Sequence, residues 1–384
     1  MKVALLTQNK ELLDQVKAIV AGTSGMDLTV VSGSPAHFAN EDLDPMPELL
    51  IVQAARGVQD LESLGSIATH YPRLPMIVIS PDQSSDFLIR AMRVGVREVL
   101  PEPLSQSALQ DALERIRQHS ALVRAAAGRI LAFVPSKGGS GATFLATNLA
   151  YALAEEGKRV VLIDLNLQFG DAMVYVATQS AQTTVAEVAH QIQRLDGEFF
   201  ESSLLKVSPN LGILAAPESP EKAVGIRPEN IERILDLARN RYDYVIVDLG
   251  MTLDPISVRV LDGADMIYMV LQMTLPFIRG AKRLMSVFDS LGYSRTKVAL
   301  LVNRYQPGGE ITVGDVESTL GLRVLQTIPN SFAAVADSIN QGKPILQVDP
   351  RDRVSKSLRE MAQSMAQKPQ RSGGLLSRLF GKSA

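Results

Sequence analysis

The sequence predicts an α/β protein built from two doubly wound sheets, and three observations carry that prediction. Short β-branched runs alternate with segments of i, i+3, i+4 apolar spacing from the N-terminus to about residue 120. Such alternation argues for a parallel sheet covered by helices on both faces. A second, longer alternation occupies residues 130–345. At its start the apolar run ILAFV (130–134) leads into the glycine-rich KGGSGAT (137–143) and then into the helical FLATNLAYALAEEG (144–157). Strand, glycine loop and helix in that order make a phosphate-binding element.

The first module has strand candidates VALLT (3–7), LTVV (28–31), LLIV (49–52), MIVIS (76–80) and VREVL (96–100). The helical segments SDFLIRAMRVG (85–95) and SALQDALERIRQH (107–119) carry the apolar spacing of helices packed on a sheet. MIVIS…AMRVGVREVLPEPLS resembles the late part of the receiver domain of response regulators. The chemistry of that family is not carried over. Gln8 and Asn9 stand where a receiver has its acidic pair, Gln53 where it has its aspartate nucleophile, and Glu102 where a lysine precedes proline. Without those carboxylates a metal site and a phosphoacceptor are both missing. Residues 1–120 therefore read as a receiver-like scaffold reused for docking, with plain structural filler as the alternative.

ALVRAAAGR (121–129) reads as a helical or flexible join, and the second α/β module follows over 130–367. Its strand candidates are ILAFV, RVVLID (159–164), LGILAA (211–216), YVIVDL (244–249), MIYMVL (266–271) and VALLVN (298–303). PQRSGG (369–374) reads as a loose linker within a C-terminal stretch spanning 368–384. In LLSRLFGK the residues Leu375, Leu376, Leu379 and Phe380 recur at helical spacing, with Arg378 and Lys382 between them. That pattern predicts a short basic amphipathic helix for a membrane surface or a partner, or else a tail docked on its own domain.

In the glycine loop, Lys137 opens the sequence, and Ala142 occupies the place where a lysine usually precedes the threonine. KGG-x-G-x-T with a leading lysine resembles the deviant Walker A signature of the MinD/ParA family. Further landmarks follow in family order: VLIDLNLQFGD (161–171) as switch I, YDYVIVDLG (242–250) as Walker B, LLVNRY (300–305) as the adenine strand, and IPNSFAAVADSINQGKPIL (328–346). A degenerate receiver ahead of such a domain, with DLNLQFGD after switch I and a lysine-poor loop, is similar to the CpaE/TadZ proteins of Tad (Flp) pilus assembly.

The resemblance implies an ATP/ADP site with Mg²⁺. The implied nucleotide contacts are Lys137, Gly138, Gly139, Ser140, Gly141, Ala142, Thr143, Phe144, Gly250, Asn303, Arg304 and Pro329. It implies Thr143, Asp164 and Asp248 around the metal, and Lys137, Asp164 and Asn166 as catalytic positions, with Lys137 reaching a partner subunit's nucleotide. Asn166 replaces the family's second switch I acid, and an amide does not accept a proton as a carboxylate does. The expectation is a homodimer that binds ATP with slow or absent hydrolysis and docks on pilus or secretion machinery.

Composition narrows the classes. Lys+Arg number 39 against Asp+Glu 41, a net charge of −2, so there is no global attraction to nucleic acid. Arg279, Lys282 and Arg283 on one helix keep a ParA-type DNA-binding partition ATPase as an alternative, and a nucleotide-independent scaffold is another. Cysteine is absent, which excludes disulfides and thiolate metal sites. The four histidines lie far apart, without metal-ligand spacing. No run approaches the about 20 apolar residues of a membrane span. The default compartment is the cytoplasm, with peripheral attachment at the inner membrane face or pole through the tail.

Overall fold

The computed structural model describes residues 1–23, 25–31, 47–71 and 74–367. The chain divides into two compact units, Met1–Ala125 and Ala126–Ala384. In the first, β1 (Lys2–Leu6), β2 (Asp27–Val31), β3 (Leu49–Gln53), β4 (Met76–Ser80) and β5 (Val96–Pro101) form one sheet in the order β2-β1-β3-β4-β5. All its pairings are parallel. β1, β3 and β4 are nearly continuous buried apolar runs, as strands covered on both faces must be, whereas the edge strand β2 is largely exposed.

The positions that lack receiver acids are tied together instead. Thr7 Oγ1 donates to Gln53 Oε1 at 2.6 Å, and Gln53 Nε2 donates to Glu102 Oε1 at 2.6 Å. Asn9 is spent as the N-cap of helix Lys10–Ala21, accepting from Glu11 N and Leu12 N. The join takes the helical form as far as Ala126, because helix Gln106–Ala126 runs through residue 121.

The second unit holds β6 (Arg129–Pro135), β7 (Val160–Leu165), β8 (Leu205–Ser208), β9 (Leu211–Leu214), β10 (Tyr244–Leu249), β11 (Met266–Leu271), β12 (Val298–Tyr305) and β13 (Val324–Pro329). Their order is β13-β12-β11-β6-β10-β7-β9-β8. Only the β8–β9 pairing is antiparallel. The chain leaves β6 for β7, then returns to insert β10 between them before crossing to β11 on the other side. The carboxyl end of β6 is thus the point where open parallel sheets leave a crevice for ligands. Helix Ala142–Glu155, which starts from the glycine loop, is apolar almost all round, and it is buried except for the half-buried Thr143 and its last residue. β8 and β13 were not foreseen from sequence; both are partly exposed edge strands without a long apolar run. The tail around Leu375–Lys382 lies outside the described residues. Among the described residues no helix is long and apolar enough to cross a membrane.

Candidate nucleotide site

A cleft of about 540 Å³ opens at the carboxyl ends of β6, β7, β10 and β12. Its floor is the loop Gly138–Thr143 with Phe144, its walls are Asn166–Phe169 and Leu249–Thr252, and its far end is Asn303, Arg304 and Pro329–Phe332. Gly139 and Gly141 hold φ values of 79° and 89°, which only glycine adopts without strain. Their conformation turns the loop so that its carbonyls and amides point apart.

The hydrogen bonds show the consequence. The carbonyl of Lys137 accepts from Ser140 N at 3.1 Å, and that of Gly141 from Leu145 N at 3.0 Å. Gly139 O accepts from Gln272 Nε2 at 2.8 Å and Ser140 O from Asn303 Nδ2 at 2.8 Å. The N–H groups of Gly139, Gly141, Ala142 and Thr143 have no protein acceptor among the described residues. A run of open amides at a helix start, with its carbonyls taken, is a concavity for an anion.

Two carboxylates lie beneath it. Asp164 and Asp248 are direct neighbours across the β7–β10 ladder, and each is 1% exposed. Burial raises the Asp164 carboxyl to about 7, against the opposing pull of its backbone hydrogen bonds. Burial likewise pushes Asp248 well above the usual carboxylate range, with the Asp164 charge adding to the effect and the Thr143 hydroxyl opposing it. Asp248 Oδ1 is buried and has no hydrogen-bond partner, as is Ser140 Oγ. An orphaned carboxylate oxygen beside a threonine hydroxyl and an open amide nest fits Mg²⁺, which takes one or two carboxylates and completes its shell with phosphate oxygens and water. No group of three or more acidic or imidazole side chains able to hold a metal alone occurs among the described residues. Thr143 and Asp248 would hold the ion together with its nucleotide, and it would supply charge neutralisation there.

The expected site residues separate into those the cleft collects and those it does not. Gly138, Gly139, Ser140, Gly141, Ala142, Thr143, Phe144, Asn166, Gly250, Asn303, Arg304 and Pro329 all line it. Asp164, expected at the metal and in catalysis, has both oxygens occupied: Oδ1 accepts from Asn166 N at 3.0 Å and Oδ2 from Ala172 N at 3.0 Å. It anchors the loop that follows β7. Lys137 is exposed and outside the lining, so in a single chain it does not meet its own cleft. Asn303, expected at the base, gives one amide proton to Ser140 O while its Oδ1 accepts from Arg304 N at 2.9 Å. Arg304 takes a φ of 50°, a left-handed conformation uncommon outside glycine, at the irregularity between β12 and β13.

Four contributors were missed in the sequence. Gln272 braces the glycine loop from the end of β11. Gly280 lets helix Leu275–Ser290 approach that loop, since a side chain there would collide with Ser136 O. Tyr175 and Phe332 supply aromatic surface to the cleft. Phe332, Phe169 and Met251 also leave an apolar rim exposed, at 74%, 79% and 57%.

Residues 128–300 match the AAA_31 family model, described as an AAA domain. The septum site-determining protein MinD of Thermotoga maritima is 26% identical over 242 residues, covering 61% of this chain and 87% of that protein. A ParA family ATPase from Chlorobium tepidum, of known crystal structure, is 29% identical, with a TM-score of 0.59 over 61% of this chain and 98% of its own. Residues 128–300 are similar to the P-loop ATPase domains of MinD and ParA proteins.

The fold of this domain also matches that of MinD of Pyrococcus horikoshii, solved with Mg-ADP, at 18% identity and a TM-score of 0.54, over 62% of this chain and 96% of that one. A pilus assembly protein (CpaE) from Burkholderia thailandensis aligns over 31% of this chain and 98% of its own at 26% identity, with a TM-score of 0.29.

Proposed function

We propose that the protein binds ATP with Mg²⁺, dimerises on doing so, hydrolyses it slowly or not at all, and serves to place pilus or secretion machinery. The observation that carries this reading is the amide nest of Gly139–Thr143 above the orphaned Asp248 oxygen, in a loop whose lysine position is the methyl of Ala142. Losing a lysine–phosphate contact forfeits about 1.5–3 kcal/mol, or roughly ten- to a hundred-fold in affinity. Open amides, Thr143 and Asp248 retain enough for binding. Hydrolysis needs charge at the transferring phosphoryl and a held water. Ala142 removes the first and Asn166 weakens the second. A second copy would supply Lys137 and cover the apolar rim of Phe169, Met251 and Phe332.

The pilus assignment rests on the chain's order: a receiver-like unit with its acidic positions filled by Gln53 and Asn9, then a lysine-poor MinD/ParA-type loop. Docking through the first unit and membrane contact through Leu375–Lys382 belong to the same reading. Calorimetry of Mg-ATP binding joined to light-scattering mass tests it: micromolar binding and a doubled mass are expected. No heat and an unchanged mass would sink it. A DNA-partition role is favoured by one observation, the exposed Arg279, Lys282 and Arg283, which make no ion pair among the described residues. Salt-dependent binding of nonspecific duplex DNA would move the assignment there.

A further inference from the structure

We infer that Gln272 and Asn303 are positioning residues that hold the glycine loop in its anion-receiving shape before any nucleotide arrives, taking over the ordering that a loop lysine would otherwise supply. The inference rests on the ATP-binding reading and deepens it. Two amide side chains, one just past β11 and one on β12, reach consecutive carbonyls of one loop. Gln272, one residue past β11, donates to Gly139 O at 2.8 Å, and Asn303, on β12, donates to Ser140 O at 2.8 Å. With those two carbonyls bonded to Gln272 and Asn303, the amides of Gly139, Gly141, Ala142 and Thr143, all on residues that line the cleft, are left without a protein acceptor among the described residues.

The alternative geometry is close at hand. Gly139 and Gly141 carry the conformational freedom of glycine, and a flipped peptide would aim a carbonyl at a phosphate, where it repels. An ammonium group folded over the loop would oppose such a flip only when an anion is present to meet it. A neutral amide already bonded to the carbonyl opposes it in the empty site. Preorganisation of this sort strengthens binding without adding a contact to the ligand. Asn303 is the better buried of the two, at 6% exposed, and its Nδ2 lies so near Gly141 that a side chain there would collide with it. Gln272 is the freer probe because its bond is near solvent and its loss leaves no buried group unpaired.

The test compares the full chain with Gln272→Ala, Gln272→Glu and the double variant Gln272→Ala/Ala142→Lys. Mg-ATP affinity is read by calorimetry, and exchange of the Gly139–Thr143 amides is read by mass spectrometry in nucleotide-free protein. Loss of one neutral hydrogen bond predicts about a three- to ten-fold weaker affinity for Gln272→Ala. Gln272→Glu, which presents a carboxylate to a carbonyl, falls further. Loop exchange rises in both while the melting temperature holds within a few degrees, and Ala142→Lys restores affinity in the double variant. Unchanged affinity together with unchanged loop exchange overturns the inference. So does a loss of affinity matched by a loss of global stability. Should the unmodified chain bind no nucleotide, the ATP reading fails by itself, and the exchange comparison in empty protein still decides whether Gln272 orders the loop.

Discussion

Ala142 stands first in helix Ala142–Glu155, 5% exposed on the cleft floor. Replacing it with lysine restores the cation that loops of this class usually carry. Ala142→Lys is expected to raise Mg-ATP affinity about ten-fold or more by calorimetry; no change would mean that phosphate does not reach this end of the loop. Asp164 supports a pH prediction. Its folded carboxyl titrates near 7 rather than near 3.8, so the native state holds a proton that the unfolded chain has released between those values. Stability contributed by this group is present below the ordinary carboxylate range and is lost as pH rises toward 7. In EDTA the melting temperature should therefore fall between about pH 4 and 7, and Asp164→Asn should flatten that fall. Mg-ATP should flatten it too, because a cation beside the pair favours the ionised form. A melting curve independent of pH in the nucleotide-free protein would contradict the buried pair.

At the scale of elements, the site depends on close approaches between segments distant in sequence. Helix Leu275–Ser290 lies against the glycine loop only because residue 280 is glycine, where any Cβ would strike Ser136 O. Gly280→Ala should push helix from loop, with a cost of about 1–3 kcal/mol in stability and a parallel loss of ATP affinity; thermal melting and calorimetry on the same sample check it. This is also where legibility in the sequence ends. VLID and VIVD read directly as buried strands ending in an acid, and the ladder sets Asp164 beside Asp248 because both runs are apolar throughout. Asn303, expected at the nucleotide, does line the cleft, but its partner was not legible, since Ser140 lies 163 residues away. Gln272 in LQMT reads as an ordinary polar residue after a strand. Its meaning comes from β11 pairing with β6, a non-local event that no spacing along the chain announces.

For the whole molecule, the alternation of strands and helices made both sheets legible, while the edge strands β8 and β13 escaped because their runs are mostly half-buried and carry no continuous apolar stretch. Lys137 carries the prediction at this scale. It is exposed and lies outside its own cleft, so Lys137→Ala is expected to leave ATP binding by a single chain within about three-fold while abolishing the ATP-dependent rise in mass. Light scattering and calorimetry separate the two effects, and a variant that still doubles in mass would remove Lys137 from the subunit contact. Flotation with anionic vesicles, full-length chain against one ending at Gln367, should lose binding with the tail. Vesicle association that survives truncation would place membrane contact elsewhere.

The catches on the glycine loop, Gln272 and Asn303, are uncharged. Dissolved ions screen interactions between charges, shortening their reach to about 8 Å at physiological ionic strength, and they barely touch a bond between an amide and a carbonyl. A loop braced in this way keeps its shape in brine and in dilute buffer alike. Its response to the cell's ionic milieu then falls on the incoming phosphates and the partner's lysine, not on the frame that receives them.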